Sequence, residues 1–168
     1  GEQFVEQEPS RAVTMKCNTY HHGVAVLLGD AAHSTGGASG QGCNSALQDS
    51  VALVDELRRS GGDVEKALLA YSQSRVPEGQ ALLDLSIGPG EEAGGLQKAL
   101  YGAKSFADTI LSRFKLGDPP LQTQLTTTLT SFSEIRRKRD FFFGEFPSEE
   151  EFSGSIAATA ATARERVT

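Results

Sequence analysis

The stretch from Val24 to Asp49 constrains the fold of this chain more than any other feature of the sequence. An apolar run, VAVLL at residues 24–28, leads directly into GDAAH at residues 29–33, and GQGCN follows at residues 40–44. A continuous apolar run of this length is typical of a strand that is covered on both faces. The glycines after it indicate a loop, and the apolar spacing further on indicates a helix. The sequence therefore predicts a strand, a glycine-rich loop and a helix in direct succession.

The end of this strand suits a polar ligand that carries some negative charge. Gly29 lets a ligand approach the backbone closely, and Asp30 can accept hydrogen bonds from ligand hydroxyl groups. Residues 40–44 place unpaired backbone N–H groups at a helix start, where negative charge is stabilised. The residues alone leave two interpretations open, a ligand site or an ordinary loop cap and helix start.

Composition argues against several other functions. The chain has 168 residues and a formal net charge of −6, so nucleic acid is not an expected partner, because phosphate binding needs a basic surface. No apolar run approaches the roughly 20 residues of a membrane span. The two cysteines, Cys17 and Cys43, form no disulfide framework, which favours a reducing, intracellular compartment.

Apolar spacing predicts a mostly helical chain after residue 40. We expect helices over about 41–59, over 64–85 with an interruption at Pro77, over 96–114 and over 121–135. Asp63 is the expected N-cap of the second helix. The stripe of the third helix consists of Leu96, Leu100, Ala103, Ala107, Ile110 and Phe114.

Two strands are predicted upstream and a disordered segment downstream. Residues 11–16 alternate in the manner of a strand with one buried face, and residues 24–28 form the second strand. After residue 146 an acidic run and an Ala/Thr-rich tail indicate disorder.

The central motif resembles the second flavin motif of class A flavoprotein monooxygenases. GDAAH, six residues, GQGCN and then Asp49 follow one another at the spacing of that motif. Within the class the chain is most similar to the kynurenine 3-monooxygenases. Further segments resemble that family in the same order, at residues 17–23, 71–86 and 132–136. The resemblance covers roughly residues 10–140.

This resemblance implies an α/β fold in which two strands end an FAD- and NAD(P)-binding monooxygenase fold. Residues 1–59 are then the C-terminal portion of the FAD-binding domain, residues 60–146 a helical C-terminal domain and residues 147–168 a disordered tail. The family carries a GxGxxG loop in an upstream half, and this sequence contains no such loop. We therefore expect a C-terminal fragment of a longer enzyme, with weak or no FAD binding by residues 1–168 alone.

The activity that the resemblance implies is hydroxylation of an aromatic substrate, with FAD as cofactor, NADPH or NADH as reductant and O₂ as co-substrate. The upstream half of the same protein would complete the site. No catalytic side chain and no metal ion are implied. The residues implied to bind the cofactor are Gly29, Asp30, Gly40, Gln41, Gly42, Cys43 and Asn44. The residues implied to bind the substrate are Gly37, Ala38 and Gln41.

Departures from the family pattern predict a changed substrate. Where the family has a proline followed by two phenylalanines, residues 37–39 are Gly-Ala-Ser, which removes aromatic wall beside the flavin. An asparagine and a tyrosine that hold the substrate carboxylate in the family correspond to Pro89 and Thr127. Proline cannot donate a hydrogen bond, and threonine is too short to replace a phenol. The loss of two hydrogen bonds to a charged group costs roughly 3–6 kcal/mol.

The same residues allow other interpretations. The first is a flavin-free helical interaction module that keeps the motif as part of its fold. A hydrolase built on His33 with Asp30 and Ser34 lacks the GxSxG turn, and a metal site of His33 with His21 and His22 matches no zinc spacing. We therefore expect His33 to be a hydrogen-bonded structural histidine.

The basic cluster at residues 136–139 has two interpretations. One is contact with a membrane surface, in the family's case a mitochondrial membrane, which the resemblance alone supports. The other is a basic helix end that complements the helix dipole. Acidic residues at 145 and 149–151 favour the second interpretation.

Overall fold

Helices joined by loops and one β-hairpin make up the part of the chain that the structure describes. This computed structural model describes residues 13–37, 39–90, 93–127 and 129–165. The strands are β1 (His21–His22) and β2 (Ala25–Val26). The helices are α1 (Asp30–His33), α2 (Gly42–Arg59), α3 (Val64–Ile87), α4 (Gly95–Arg113), α5 (Leu121–Thr127), α6 (Phe132–Arg137), α7 (Asp140–Phe143) and α8 (Glu149–Glu165). Two strands followed by mostly helical structure are compatible with the expected class.

The strand predicted at residues 24–28 is shorter and more exposed than expected. β2 contains two residues and pairs antiparallel with β1. Val24 is 76% exposed and Leu27 41% exposed, so the prediction of a strand covered on both faces is wrong here. Such a strand needs neighbours on its edges and layers on both faces, and β1 is its only neighbouring strand among the described residues.

The strand predicted at residues 11–16 is reduced to one bridge in the described part of the chain. Residues 11–12 lie outside the described residues. Thr14 pairs with Thr35 in an isolated antiparallel bridge, and the N–H of Met15 donates to the carbonyl of Ser34 at 2.8 Å. This bridge attaches the upstream segment to the loop that follows α1.

Helix α3 is the centre of the fold. It packs against α2, α6 and α8, and also against α1 and β1. Asp63 caps it, as predicted, and accepts a hydrogen bond from the N–H of Lys66 at 3.1 Å. The helix continues through Pro77, so the predicted interruption is wrong. Proline removes one backbone hydrogen bond, but Pro77 and its neighbours are buried, and this packing outweighs the local cost.

The hydrophobic core lies where α6 and α8 pack against α3. Its buried members are Tyr20, Ala32, Tyr71, Val76, Ala81, Leu82, Leu85, Leu125, Phe132, Ile135, Phe146, Phe152 and Ile156. Residues far apart in the sequence thus share one core, and the hairpin and α8 both belong to it.

The tail predicted to be disordered contains helix α8. Phe152 and Ile156 of this helix are buried in the core, so the prediction of disorder is wrong over residues 149–165. Ser148 and Glu151 form a capping box, with the N–H of Ser148 donating to Glu151 Oε2 at 2.7 Å and the N–H of Glu151 donating to Ser148 Oγ at 3.2 Å. The acidic run stabilises the helix start because it lies at the positive end of the dipole.

The last helix predicted, over residues 121–135, is two helices in the structure. α5 ends at Thr127 in a run of β-branched threonines, and Ser131 caps α6 by accepting from the N–H of Glu134 at 3.2 Å. Leu129 between them is fully exposed. The prediction of one continuous helix is therefore wrong.

The basic cluster at residues 136–139 is partly internal. Arg136 is 3% exposed and donates to Asp84 Oδ2 at 2.9 Å and to Asp140 Oδ1 at 2.8 Å. Arg139 is also buried and donates to the carbonyl of Ile135. These two cations therefore serve internal contacts. Across the described residues, no helix combines the length and apolar character required to cross a bilayer.

Candidate functional site

The turn at Gly29 joins the hairpin to α1. Gly29 has φ 56° and ψ −137°, a backbone conformation that residues with a side chain rarely adopt. A Cβ atom at Gly29 would also lie 3.0 Å from the Cβ of Ala46 in α2. The Gly29 carbonyl accepts from the N–H groups of Ala32 and His33, at 2.8 and 3.0 Å, which starts α1. The turn therefore requires glycine, and Asp30 after it is exposed.

Helix α2 begins directly after a glycine turn. Gly40 has φ 65°, and the N–H of Gln41 donates to Ser39 Oγ at 3.2 Å. The backbone N–H of Ser45 donates to the Gln41 carbonyl at 2.9 Å, which is the first bond of the helix, so the N–H groups of residues 42–44 have no acceptor within the helix. No acidic side chain lies in the first turn. The start of α2 is therefore an electropositive end with free donors.

The structure brings the Asp30 carboxylate next to this helix start. A Cβ atom at Gly42 would lie only 3.3 Å from Asp30 Oδ1. Cys43 and Asn44 are exposed, whereas Gln41 is 3% exposed and its Oε1 accepts from Asn44 Nδ2 at 2.9 Å. An exposed acceptor and a set of helix N–H donors thus lie side by side, with the Gln41 side chain buried behind them.

The loop between α1 and α2 carries the residues implied to bind substrate. Gly37 has φ 80° and is exposed, and Ala38 lies outside the described residues. The Ser39 carbonyl accepts from Gln122 Nε2 at 3.3 Å, and Ser39 Oγ lies 3.3 Å from Thr35 Oγ1. These contacts bring α5 beside the glycine loop.

A buried carboxylate, that of Asp49, accepts a hydrogen bond from the backbone of the turn. Asp49 of α2 is fully buried, and its Oδ2 accepts from the N–H of Gly29 at 3.0 Å. His33 Nε2 lies 2.6 Å from the same oxygen, and Arg75 Nε of α3 donates to Asp49 Oδ1 at 2.7 Å. Because a carboxylate only accepts, Nε2 of His33 carries a proton. One side chain thus joins the turn, α1, α2 and α3.

The ionisation of Asp49 follows from these contacts. Burial alone would raise the pKa of Asp49, but hydrogen bonds from His33 and Arg75 outweigh burial and hold the pKa below its ordinary value. Burial raises the pKa of the neighbouring Tyr20 and Tyr71 well above the ordinary tyrosine value, and the Asp49 charge adds to this effect. The cluster therefore holds one buried anion between neutral phenols.

His33 has the structural role predicted for it. Its side chain is 2% exposed, is paired with Asp49 and lies against Tyr20, with ring centroids 5.6 Å apart. It is therefore inaccessible to a hydrolytic substrate. In the described ranges, no group of three or more His, Cys, Asp or Glu side chains is placed to hold a metal ion.

Sequence reasoning missed Asp49 and Arg75 as parts of the site. Asp49 follows GQGCN in the motif and Arg75 lies within the segment of residues 71–86, but neither pattern predicts that the two side chains pair. The available signal was their placement on inward faces: Ser45 and Asp49 are four residues apart on α2, and Arg75 shares a face with Leu68 and Ser72 on α3. Opposite charges on two buried faces predict a pair.

Comparison with known protein families gives one family match. The sequence profile described as "FAD binding domain" matches residues 3–86, which is half of the chain. The match includes the hairpin, the Gly29 turn, α2 and nearly all of α3. All of the residues that surround Asp49 lie within it.

Individual relatives extend this similarity toward the C-terminus. Kynurenine 3-monooxygenase of Phaeosphaeria nodorum is 39% identical over 101 residues, which cover 59% of this chain and 21% of that protein. Kynurenine 3-monooxygenase of Caenorhabditis elegans is 33% identical over 141 residues, covering 81% of this chain and 31% of the relative. Violacein synthase of Chromobacterium violaceum is 35% identical over 85 residues, covering 50% of this chain and 20% of the relative. The chain thus spans between a fifth and a third of the length of these relatives.

Proposed function

The chain belongs to the FAD-binding-domain family, and on that premise we propose that it forms part of an FAD-dependent monooxygenase that hydroxylates an aromatic substrate. The observation that carries this proposal is the position of the Asp30 carboxylate beside the free N–H groups at the start of α2. Similarity to kynurenine 3-monooxygenases over 81% of the chain in one case supports the reaction class.

The residues at this position fit a flavin. The reduced isoalloxazine ring carries negative charge near N1 and the C2 carbonyl, and a helix N-terminus stabilises it by about 0.3–1 kcal/mol, or up to ~2 kcal/mol when partly buried. Asp30 is exposed and suits a hydrogen bond from a ribityl hydroxyl. We assign cofactor binding to Gly29, Asp30, Gly40, Gln41, Gly42, Cys43 and Asn44.

The residues of the Gly29 turn and of the start of α2 would hold FAD, which would supply the transfer of one oxygen atom of O₂ to the substrate ring, with NADPH or NADH as reductant and the other oxygen atom leaving as water. The part of this chain is to hold the cofactor, orient the aromatic ring and exclude water from the reacting atoms. We assign Gly37, Ala38 and Gln41 to the substrate side of the site, because they belong to the same glycine loop and helix start.

The substrate that we propose is an aromatic compound other than kynurenine. Residues 37–39 provide no aromatic side chain. Thr127 is the last residue of α5, and Gln122 of this helix contacts the loop. The Thr127 hydroxyl donates to the Thr123 carbonyl at 2.7 Å. That hydroxyl is therefore engaged within its own helix, which supports a substrate that is not held by a group at this position.

The outward face of α2 supports a larger parent protein. Leu47 and Val51 are each 62% exposed and Val54 is 44% exposed, and a groove of about 520 Å³ lies between α2 and α3. We propose that the remaining part of the protein covers this face and completes the flavin site. In this proposal, residues 1–59 are the C-terminal portion of the FAD-binding domain and residues 60–146 form the helical domain. Cys17 and Cys43 are free thiols, which supports a reducing, intracellular compartment. Association with a mitochondrial membrane is a hypothesis from resemblance alone.

The test uses the flavin-loaded parent protein. We would measure NADPH and NADH oxidation with and without kynurenine, and quantify hydroxylated product. We expect oxidation in the presence of another aromatic compound and no stimulation by kynurenine; stimulation with matching product would contradict the changed substrate but keep the reaction class. A parent protein that never carries flavin would favour the helical interaction module.

Asp30→Ala tests the assigned site directly. We expect FAD affinity to fall about tenfold, the effect of one lost hydrogen bond to a charged group. Asp118→Ala, at an exposed loop position, is the matched control and should leave affinity unchanged. For residues 1–168 alone, a fluorescence titration should show weak or no FAD binding, and micromolar affinity would refute the shared site.

A further inference from the structure

We infer that Asp49 is the positioning residue of the flavin-facing turn, and that its buried carboxylate fixes the Gly29–Asp30 backbone against the start of α2. The inference rests on the proposed function, because the flavin is the group that would use this geometry. Asp49 itself is fully buried and therefore acts through the residues that it holds.

The contacts of Asp49 come from separate elements. Oδ2 accepts from the backbone N–H of Gly29 and lies 2.6 Å from His33 Nε2, while Oδ1 accepts from Arg75 Nε. Each hydrogen bond involves a charged acceptor, which makes it stronger than one between neutral groups. The contact with Gly29 is to the backbone, so it constrains the turn itself.

The position of Asp49 on α2 makes this constraint relevant to the helix start. Asp49 lies seven residues after Gly42 in the same helix, which is about 10 Å along the axis. The helix start and the turn are thus linked through one rigid helix and one hydrogen bond. Displacement of a binding group by about 1 Å is enough to impair a site, so the link sets the spacing between Asp30 and residues 42–44.

The experiment compares two substitutions in the parent protein. Asp49→Leu keeps a branched side chain and removes the carboxylate that accepts from the Gly29 N–H. Asp84→Leu is the matched control, because Asp84 also accepts from a buried arginine, Arg136, and is paired with Lys16, and neither of these contacts within the described residues involves the turn. FAD affinity is measured by flavin fluorescence, the flavin environment by visible circular dichroism, and stability by urea unfolding.

We expect Asp49→Leu to weaken FAD affinity about tenfold or more and to change the visible dichroism of any flavin that binds. Asp84→Leu should lose stability but bind FAD within about threefold of the unmodified protein. That change is smaller than the tenfold loss, equivalent to about 1.4 kcal/mol, that we expect for Asp49→Leu. Losses of affinity that follow stability equally in both variants would overturn the inference, since Asp49 would then be merely structural.

If Asp49→Leu does not fold, hydrogen exchange of the Gly29 amide tests whether Asp49 positions the turn. In the unmodified protein without FAD, we expect this amide to be protected, because Asp49 holds it before the cofactor binds. Rapid exchange without FAD and protection only with FAD would overturn the inference. A parent protein that binds no FAD would refute the proposed function and this inference together, whereas unchanged FAD binding by Asp49→Leu would refute the inference alone.

Discussion

Single polar residues join α2 to α3, where helices usually meet through apolar side chains. The buried side chains of α2 are Ser45 and Asp49, and Asp49 is paired with Arg75. A buried ion pair adds little net stability, but loss of one partner costs about 3–5 kcal/mol because the other charge is left uncompensated. Alignment of these helices therefore depends on a matched pair of residues.

Gly79 illustrates the same dependence on one residue. A Cβ atom at this position of α3 would overlap the Tyr20 hydroxyl and lie 2.8 Å from His33 Cβ. We expect Gly79→Ala to lower the free energy of unfolding by about 1–3 kcal/mol, as overpacking does. Gly102→Ala in α4, where the added Cβ would meet no described side chain or neighbouring element within 4 Å, should instead raise it by up to ~1 kcal/mol. Urea unfolding of both variants checks this, and equal changes would contradict it.

Tyrosine ionisation gives a pH test. Burial raises the pKa of all three tyrosines, Tyr20, Tyr71 and Tyr101. The unfolded chain then loses phenolic protons first, so the stability contribution is complete below about pH 10 and is lost as pH rises above it. We expect phenolate absorbance to appear together with loss of helical circular dichroism.

The control for the tyrosine titration is the chain in concentrated guanidinium chloride, where ionisation should occur near pH 10. A phenolate signal centred near pH 10 with the helical dichroism intact would show that the phenols are accessible. The chain contains no tryptophan, so the absorbance change reports tyrosine alone.

At this scale, local features were predictable and pairings were not. Asp63 as a cap and His33 as a structural histidine follow from residue type and immediate neighbours. The pairing of Asp49 with Arg75 joins residues 26 positions apart and depends on how two helices cross. Residue type indicates a need for a partner and does not say which one.

Helices as elements were predictable from apolar spacing, whereas the face that each one buries was not. α4 forms at the predicted place, yet none of its described side chains is buried, and Leu96 is 75% exposed. Part of the apolar stripe of α2 also points outward, since Leu47, Val51 and Val54 are exposed. Periodicity gives the stripe, but whether a neighbour covers it depends on tertiary structure.

The contrast between two leucines tests this distinction. Leu82 of α3 is fully buried and Leu96 of α4 is mostly exposed. We expect Leu82→Ala to lower the free energy of unfolding by about 2–5 kcal/mol and Leu96→Ala to change it by no more than about 0.5 kcal/mol. Thermal and urea unfolding of both variants measure the difference. A large loss in Leu96→Ala would show that this face of α4 is covered.

Helix starts in the structure differ from those predicted by apolar spacing where the sequence contains a capping box. Ser131 with Glu134 and Ser148 with Glu151 have the spacing of a capping box, and each serine caps the helix that follows it. The acidic run after Ser148 was instead interpreted through its net charge. Spacing of a cap carries more information about a helix start than composition does.

Helix α8 completes the core of the molecule around α3. It contributes Phe152 and Ile156 and contacts β1 as well as α3. Each large apolar side chain lost from a core costs about 2–5 kcal/mol, against a total stability of about 5–15 kcal/mol for a typical domain. The core is therefore incomplete without this helix.

Truncation tests the role of α8. A chain that ends at Ser148 should lose cooperative thermal unfolding and bind a hydrophobic dye, because the partners of Phe152 and Ile156 become exposed. Ser155→Ala, at an exposed position of the same helix, should change stability by no more than about 0.5 kcal/mol. Unchanged cooperative unfolding after truncation would contradict this role and favour the predicted disordered tail.

The contact between β1 and α8 also sets an order of events during synthesis. β1 leaves the ribosome well over a hundred residues before α8. The hairpin therefore lacks this packing partner while the intervening helices are made. We expect the segment around Tyr20 to be accessible to chaperones throughout that interval. β1 is thus made long before the helix that packs against it.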